Sequence, residues 1–166
     1  MFKLPGIKPG SDLESLFSAV GFIVIQWGQA EQSLDLIVST LSHAYRGQKA
    51  KRLPVMLETK ITFLRNCISS TPELANVVTD FEAMLQDFEA LAPMRNDLVH
   101  GAITSVVPIS RGFTFLKFDS DKEYNTTRLV HLSDDEFPFL RRRLQRLVNE
   151  ANRLARVVMD SRPSVK

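Results

Sequence analysis

Phe88-Glu89-Ala90-Leu91-Ala92-Pro93-Met94-Arg95-Asn96-Asp97-Leu98-Val99-His100-Gly101-Ala102-Ile103-Thr104-Ser105-Val106-Val107 is the stretch in which the hydrophobic period of the chain changes. Upstream of it, Leu74, Val77, Val78, Phe81, Leu85, Phe88 and Leu91 advance by three or four residues, the spacing that lines one face of a helix. Ser70-Thr71-Pro72-Glu73 starts that helix: a cap residue precedes a proline at the first helical position, where the missing N–H breaks no bond. Pro93 clashes with the preceding turn, so a break or kink is expected there, with Met94 to His100 continuing as a helical piece. Beyond Gly101 the residues become β-branched and aromatic, which predicts strands over 103–107, 112–118 and 125–132. A polar turn over 119–123 makes at least one hairpin.

Working outward, Leu13, Leu16, Phe17, Val20, Ile23 and Val24, then Trp27, Ala30, Leu34, Ile37, Val38 and Leu41, predict a long first helix over 12–44. Ser11 or Asp12 is its expected N-cap, with Glu14 placed for a capping box and Gly21 or Gly28 as sites of bending. The leader 1–10 holds two prolines and two glycines. After a polar connector over 46–50, Leu53, Leu57, Ile61, Leu64 and Ile68 predict a second helix over 50–69. Ser133-Asp134-Asp135-Glu136 signals the last helix, about 134–160, which carries Phe139, Leu140, Leu144, Leu147, Val148, Ala151, Leu154 and Val158. The expected fold is mainly α: a four-helix up-and-down bundle with a small β-hairpin insertion, about 102–132, between the third and fourth helices. Residues 11–166 are read as one domain.

Composition narrows the function classes. A net charge of +2 does not by itself indicate a nucleic-acid binder, so the placement of the 21 Lys and Arg matters more than their sum. Arg141, Arg142, Arg143, Arg146, Arg153 and Arg156 fall on the last helix, either as a basic strip or as a solvated face paired with Asp134, Asp135, Glu136 or Glu150. Cys67 is the only cysteine, which excludes an intrachain disulfide and suits a reducing, cytoplasmic setting. The apolar run over 19–25 is far shorter than the roughly 20 residues that span a bilayer, so no membrane association is expected. His43 and His131 lie apart from any cysteine or carboxylate cluster with metal-ligand spacing, and no phosphate loop, nucleophile elbow or dinucleotide fingerprint occurs. Neither metal nor cofactor is expected.

Arg95-Asn96-Asp97-Leu98-Val99-His100, ending a third amphipathic helix, resembles the Arg-x(4–6)-His motif of HEPN domains, in which a polar residue often follows the arginine. The early helix containing Trp27-Gly28-Gln29-Ala30-Glu31-Gln32-Ser33-Leu34 is similar to HEPN-like chains as well. The resemblance covers about 12–101 and, less specifically, the last helix. It implies a homodimer in which two motifs face one another and form a metal-independent RNA-cleaving site, in toxin–antitoxin, phage-defence or RNA-processing settings, with an antitoxin protein as a further partner.

The residues themselves suit that chemistry. RNA carries its own nucleophile, the 2′-hydroxyl, so an enzyme need only move protons and stabilise charge on the phosphate. An imidazole titrates close to neutral pH, which makes His100 the candidate acid or base, and a guanidinium grips phosphate oxygens with a planar fork, which gives Arg95 its role. At 3.6 residues per turn Asn96 lies about 40° from His100 and can orient it, whereas Arg95 lies about 140° away. Only the long arginine side chain or a second protomer could bring both to one phosphate. Asp97 reads as solvated or paired with Arg95, and Glu31 as a secondary groove candidate. As a plain helix end, Arg95 would be bound to carboxylates and His100 would cap the helix before Gly101. The alternative function is a noncatalytic HEPN-like dimerisation or partner-binding module in which the β-hairpin supplies the specificity surface.

Overall fold

The computed structural model describes residues 12–44, 53–107, 112–120, 125–133 and 135–161. Four α-helices, α1 (Asp12–Ala44), α2 (Leu57–Ser69), α3 (Val78–His100) and α4 (Phe137–Asp160), account for most of them. A 3₁₀ turn over Pro72–Val77 precedes α3, and strands β1 (Ala102–Val107), β2 (Gly112–Ser120) and β3 (Asn125–Ser133) lie between α3 and α4. The protein is thus mainly α with an antiparallel β insertion, as its periodicity predicts. The leader 1–10, the Ser11 cap and the connector 46–50 lie outside the described residues, as does most of the turn over 119–123.

Three local differences have simple causes. The second helix begins at Leu57, because Pro54 disfavours helical backbone at Leu53 and offers no N–H, and Leu53, Val55 and Met56 are exposed before the first turn. Pro72 opens a 3₁₀ turn, and the α-helix proper starts at Val78. Pro93 does not interrupt α3, which runs unbroken to His100; it lies on the exposed side, where water can take the carbonyl that loses its partner.

The chain divides into two compact units, with division points inside α1, α3 and α4. One comprises 27–91 with 145–166 and is a helical bundle. Trp27, Leu34, Ile37, Leu64, Phe81, Phe88, Leu147 and Leu154 are buried in it, and the Trp27 ring meets Phe88 edge-to-face at 5.4 Å and 83°. Asp80 pairs with Arg153 and Asp87 with Arg146, so α3 and α4 run antiparallel here. Arg65 of α2 bridges Glu82 and Glu89 of α3 at 2.7 and 2.9 Å. Lys60, 5% exposed, reaches Asp35 at 2.6 Å and Glu31 at 3.6 Å, while Glu31 also accepts the Trp27 indole N–H. Glu31 therefore holds α1 and α2 together through these partners. Burial pushes the Cys67 thiol up, as its place on the inner face of α2 requires.

The other unit comprises 1–26 with 92–144. Its strands form a meander in the order β1-β2-β3, two consecutive hairpins, with a bulge between Ile103 and Ser105 where β1 gains a residue. Phe113, Phe115 and Lys117 share one face of β2 and lie opposite Leu132, Val130 and Arg128 of β3. Leu16, Ile23, Leu98, Phe113, Phe115, Leu132 and Leu144 are buried here, whereas Phe17 and Val24, expected on the inner stripe of α1, are exposed. At the start of α4, Glu136 accepts from the Ser133 backbone N–H at 2.8 Å and the Ser133 hydroxyl accepts from the Asp135 N–H at 3.2 Å, the reciprocal capping read from the sequence.

Trp27 is the only tryptophan and reports on its own unit. Phe88→Ala is expected to lower the unfolding free energy by about 3–5 kcal/mol and to shift Trp27 emission to the red, measured by urea denaturation followed by fluorescence.

Candidate functional site

The last turns of α3 sort the motif by helical period. Asp97 and Leu98 are each 6% exposed and face inward, whereas Asn96, Val99 and His100 face outward and Arg95 is half-buried. Asn96 and His100 therefore occupy one exposed face, one turn apart. The structure brings Arg95 and Asn96 together, Nη1 donating to Oδ1 at 3.1 Å, and no hydrogen bond joins Asn96 to His100. Arg95 Nε is buried without an acceptor, and among the described residues no carboxylate pairs with this guanidinium.

The neighbouring carboxylate is committed elsewhere. Asp97, neither solvated nor paired with Arg95, accepts from Lys117 Nζ at 2.8 Å and from both terminal nitrogens of Arg128, at 2.9 and 2.5 Å. Burial, the largest single influence, disfavours its charged form, but the hydrogen bonds from Arg128 and Lys117 and their charges more than offset it. The Asp97 carboxyl consequently sits below its ordinary value. The clue lay in β2: Lys117 continues the inward positions of Phe113 and Phe115, and Arg128 stands directly across from it. Two cations on an otherwise apolar face require an anion between them.

Gly101 completes the corner from α3 into β1. A Cβ there would lie 2.4 Å from the Asp97 carbonyl oxygen and 3.1 Å from the Phe115 Cβ, and the Gly101 N–H donates to that same carbonyl at 2.8 Å. The glycine is needed for the close approach of the chain to Asp97 and Phe115.

The remaining candidates divide clearly. His43 Nδ1 lies 2.6 Å from the Ser39 carbonyl and His131 Nδ1 lies 3.2 Å from the Thr114 hydroxyl. Among the described residues no three His, Cys, Asp or Glu side chains gather where they could hold a metal ion, and no helix is long and apolar enough to cross a membrane. On α4, Arg146 and Arg153 are paired, with Asp87 and with Asp80 and Glu150, while Arg141 lies over the Phe22 ring and Arg142 over the Phe139 ring, each at 4.8 Å. No family model, curated protein or solved structure matches the chain.

Because the Asp97 carboxyl ionises more readily when folded, its contribution is fully present above about pH 4 and is lost as pH falls through its folded value. Asp97→Asn is expected to destabilise the protein by about 2 kcal/mol near neutral pH, a modest figure because Arg128 stays open to solvent. In acid titrations of thermal unfolding, the gap between variant and native protein should close below pH 4; a gap independent of pH would remove Asp97 from this role.

Proposed function

We propose that the protein is a metal-independent endoribonuclease of HEPN type, acting as a homodimer with Arg95, Asn96 and His100 of each protomer contributing to a composite site. The observation that carries this reading is the state of the motif itself: a guanidinium that pairs with neutral Asn96, next to an exposed imidazole on the same helix end. Asp97, the nearest carboxylate in the sequence, points to another side of the helix and is occupied by Lys117 and Arg128. Positive charge is thereby kept available for a phosphate.

In this reading His100 moves the proton of the 2′-hydroxyl or of the leaving 5′-oxygen, and Arg95 stabilises the charge that develops on the phosphate as the 2′-oxygen attacks. The P–O5′ bond breaks as the P–O2′ bond forms, giving a 2′,3′-cyclic phosphate and a 5′-hydroxyl. Asn96 holds the Arg95 fork, and by its place on the helix it can also reach toward the imidazole. Since Arg95 and His100 diverge by about 140° around one helix, the two act on one phosphate across a pair of protomers. The resemblance extends the proposal to a cytoplasmic toxin–antitoxin or phage-defence setting, with an antitoxin as partner.

Mixed RNA incubated in EDTA is the test. Native protein should release cyclic-phosphate ends, and His100→Ala and Arg95→Ala should each slow cleavage by roughly 10²- to 10⁴-fold at unchanged folding and dimer content. Substrates lacking the 2′-hydroxyl should stay intact. An inactive native protein across varied RNAs would replace this reading with the noncatalytic dimerisation or partner-binding module, for which Asn96, Val99 and His100 would be contact residues.

A further inference from the structure

Four of the arginines on α4 fall into two kinds. Arg146 and Arg153 are neutralised by carboxylates, whereas Arg141 and Arg142 meet none among the described residues and instead lie over the faces of Phe22 and Phe139. Phe139 is 69% exposed, an unusual degree for a large aromatic side chain, and its helix neighbours Arg142 and Arg143 are exposed with it. Between the first turn of α4 and the 18–23 stretch of α1 lies a recess of about 540 Å³ lined by Ser18, Ala19, Phe22, Phe137, Pro138 and Arg141. The Arg141–Phe22 pair thus forms part of its wall, and the Arg142–Phe139 pair lies further round α4. That size falls within the roughly 300–1,000 Å³ of small-ligand sites, and no acidic side chain lines it.

We infer that this recess and its two arginine–aromatic pairs form a binding surface for single-stranded RNA, distinct from the Arg95/His100 motif. The recess accepts an unstacked base, Phe139 offers a second face on which a base can stack, and Arg141 and Arg142 hold the intervening phosphates. The chemistry of the rim selects this occupant. A guanidinium held over a ring at 4.8 Å offers a planar face of its own, on which a base can stack while its N–H groups reach phosphate oxygens. A second copy of the chain seated on the same surface about a twofold axis would bring the two arginine pairs toward each other, like against like. A lipid surface calls for a convex apolar face, and the apolar atoms here line a concavity. The choice of RNA among polyanions rests on the ribonuclease reading, and it gives that activity a preference for unpaired substrate.

The test uses the full chain carrying His100→Ala, so that RNA stays intact, and the anisotropy of a fluorescein-labelled single-stranded dodecauridylate. Phe139→Ala is expected to weaken binding roughly tenfold, the scale of one lost base stack. Arg141→Gln with Arg142→Gln should reduce the logarithmic salt slope by roughly 1.4, about 0.7 for each single-strand phosphate contact. Arg142→Lys keeps the charge but loses the planar stack, and should also weaken binding; a purely electrostatic surface would not register it. Circular dichroism checks that these exposed substitutions leave the fold intact. Unchanged affinity in the Phe139 and arginine variants overturns the inference, and so does equal affinity for duplex RNA of the same length. Binding to phosphatidylserine vesicles with none to RNA overturns it in favour of a membrane surface. If protein with its native His100 cleaves RNA and the groove variants bind normally, the groove fails and the nuclease stands. If the groove variants lose binding and the protein never cleaves, the groove stands and the nuclease fails.

Discussion

Lys117 and Arg128 stand directly opposite one another on neighbouring strands, where two like charges repel, and Lys117 follows the buried Phe113 and Phe115 on one face of β2. Asp97 resolves the conflict by placing one carboxylate against both. The consequence runs in both directions along the chain. The register of β2 against β3 is tied to α3, and the rotation of the last turn of α3 about its own axis is fixed by Asp97. With Asp97 and Leu98 drawn inward, Asn96, Val99 and His100 have to point outward, and the exposed face of the motif follows from an ion pair that belongs to the sheet.

This arrangement separates two neighbouring residues that look alike on paper. Arg95 and Asp97 are two positions apart and of opposite charge, the simplest pairing to imagine, but successive helical positions diverge by about 100°, so the two point to different sides. The same division recurs on α4, where Arg146 and Arg153 are paired with acids of α3 and Arg141 and Arg142 lie over aromatic rings. Total charge is silent about either case; what matters is which cations have been given a carboxylate.

Much of the architecture was legible because period is a strong signal. The change from helical spacing to β-branched alternation at Gly101 located the insertion, and Ser133-Asp134-Asp135-Glu136 located the start of α4, because both depend on local backbone chemistry. The start of α2 was misplaced because Leu53 continued the apolar spacing while Pro54, one residue on, forbade the helix. Pro93 does not break α3, because on an exposed helix face the lost hydrogen bond can be made good by water. The motif residues could be named from sequence, but the role of Asp97 could not, since it depends on Lys117 and Arg128, 20 and 31 residues away. Lys117 at an inward strand position was the available hint.

Among the described residues the sheet has three strands with β1 and β3 at its margins, the positions from which a sheet can recruit a foreign strand. Each edge carries its own deterrent. The extra residue in β1 breaks the regular spacing of backbone donors and acceptors that an incoming strand would need, and β3 places the cationic Arg128 in the middle of its length. Arg128 thus acts twice, as a partner for Asp97 within the fold and as a guard against its aggregation.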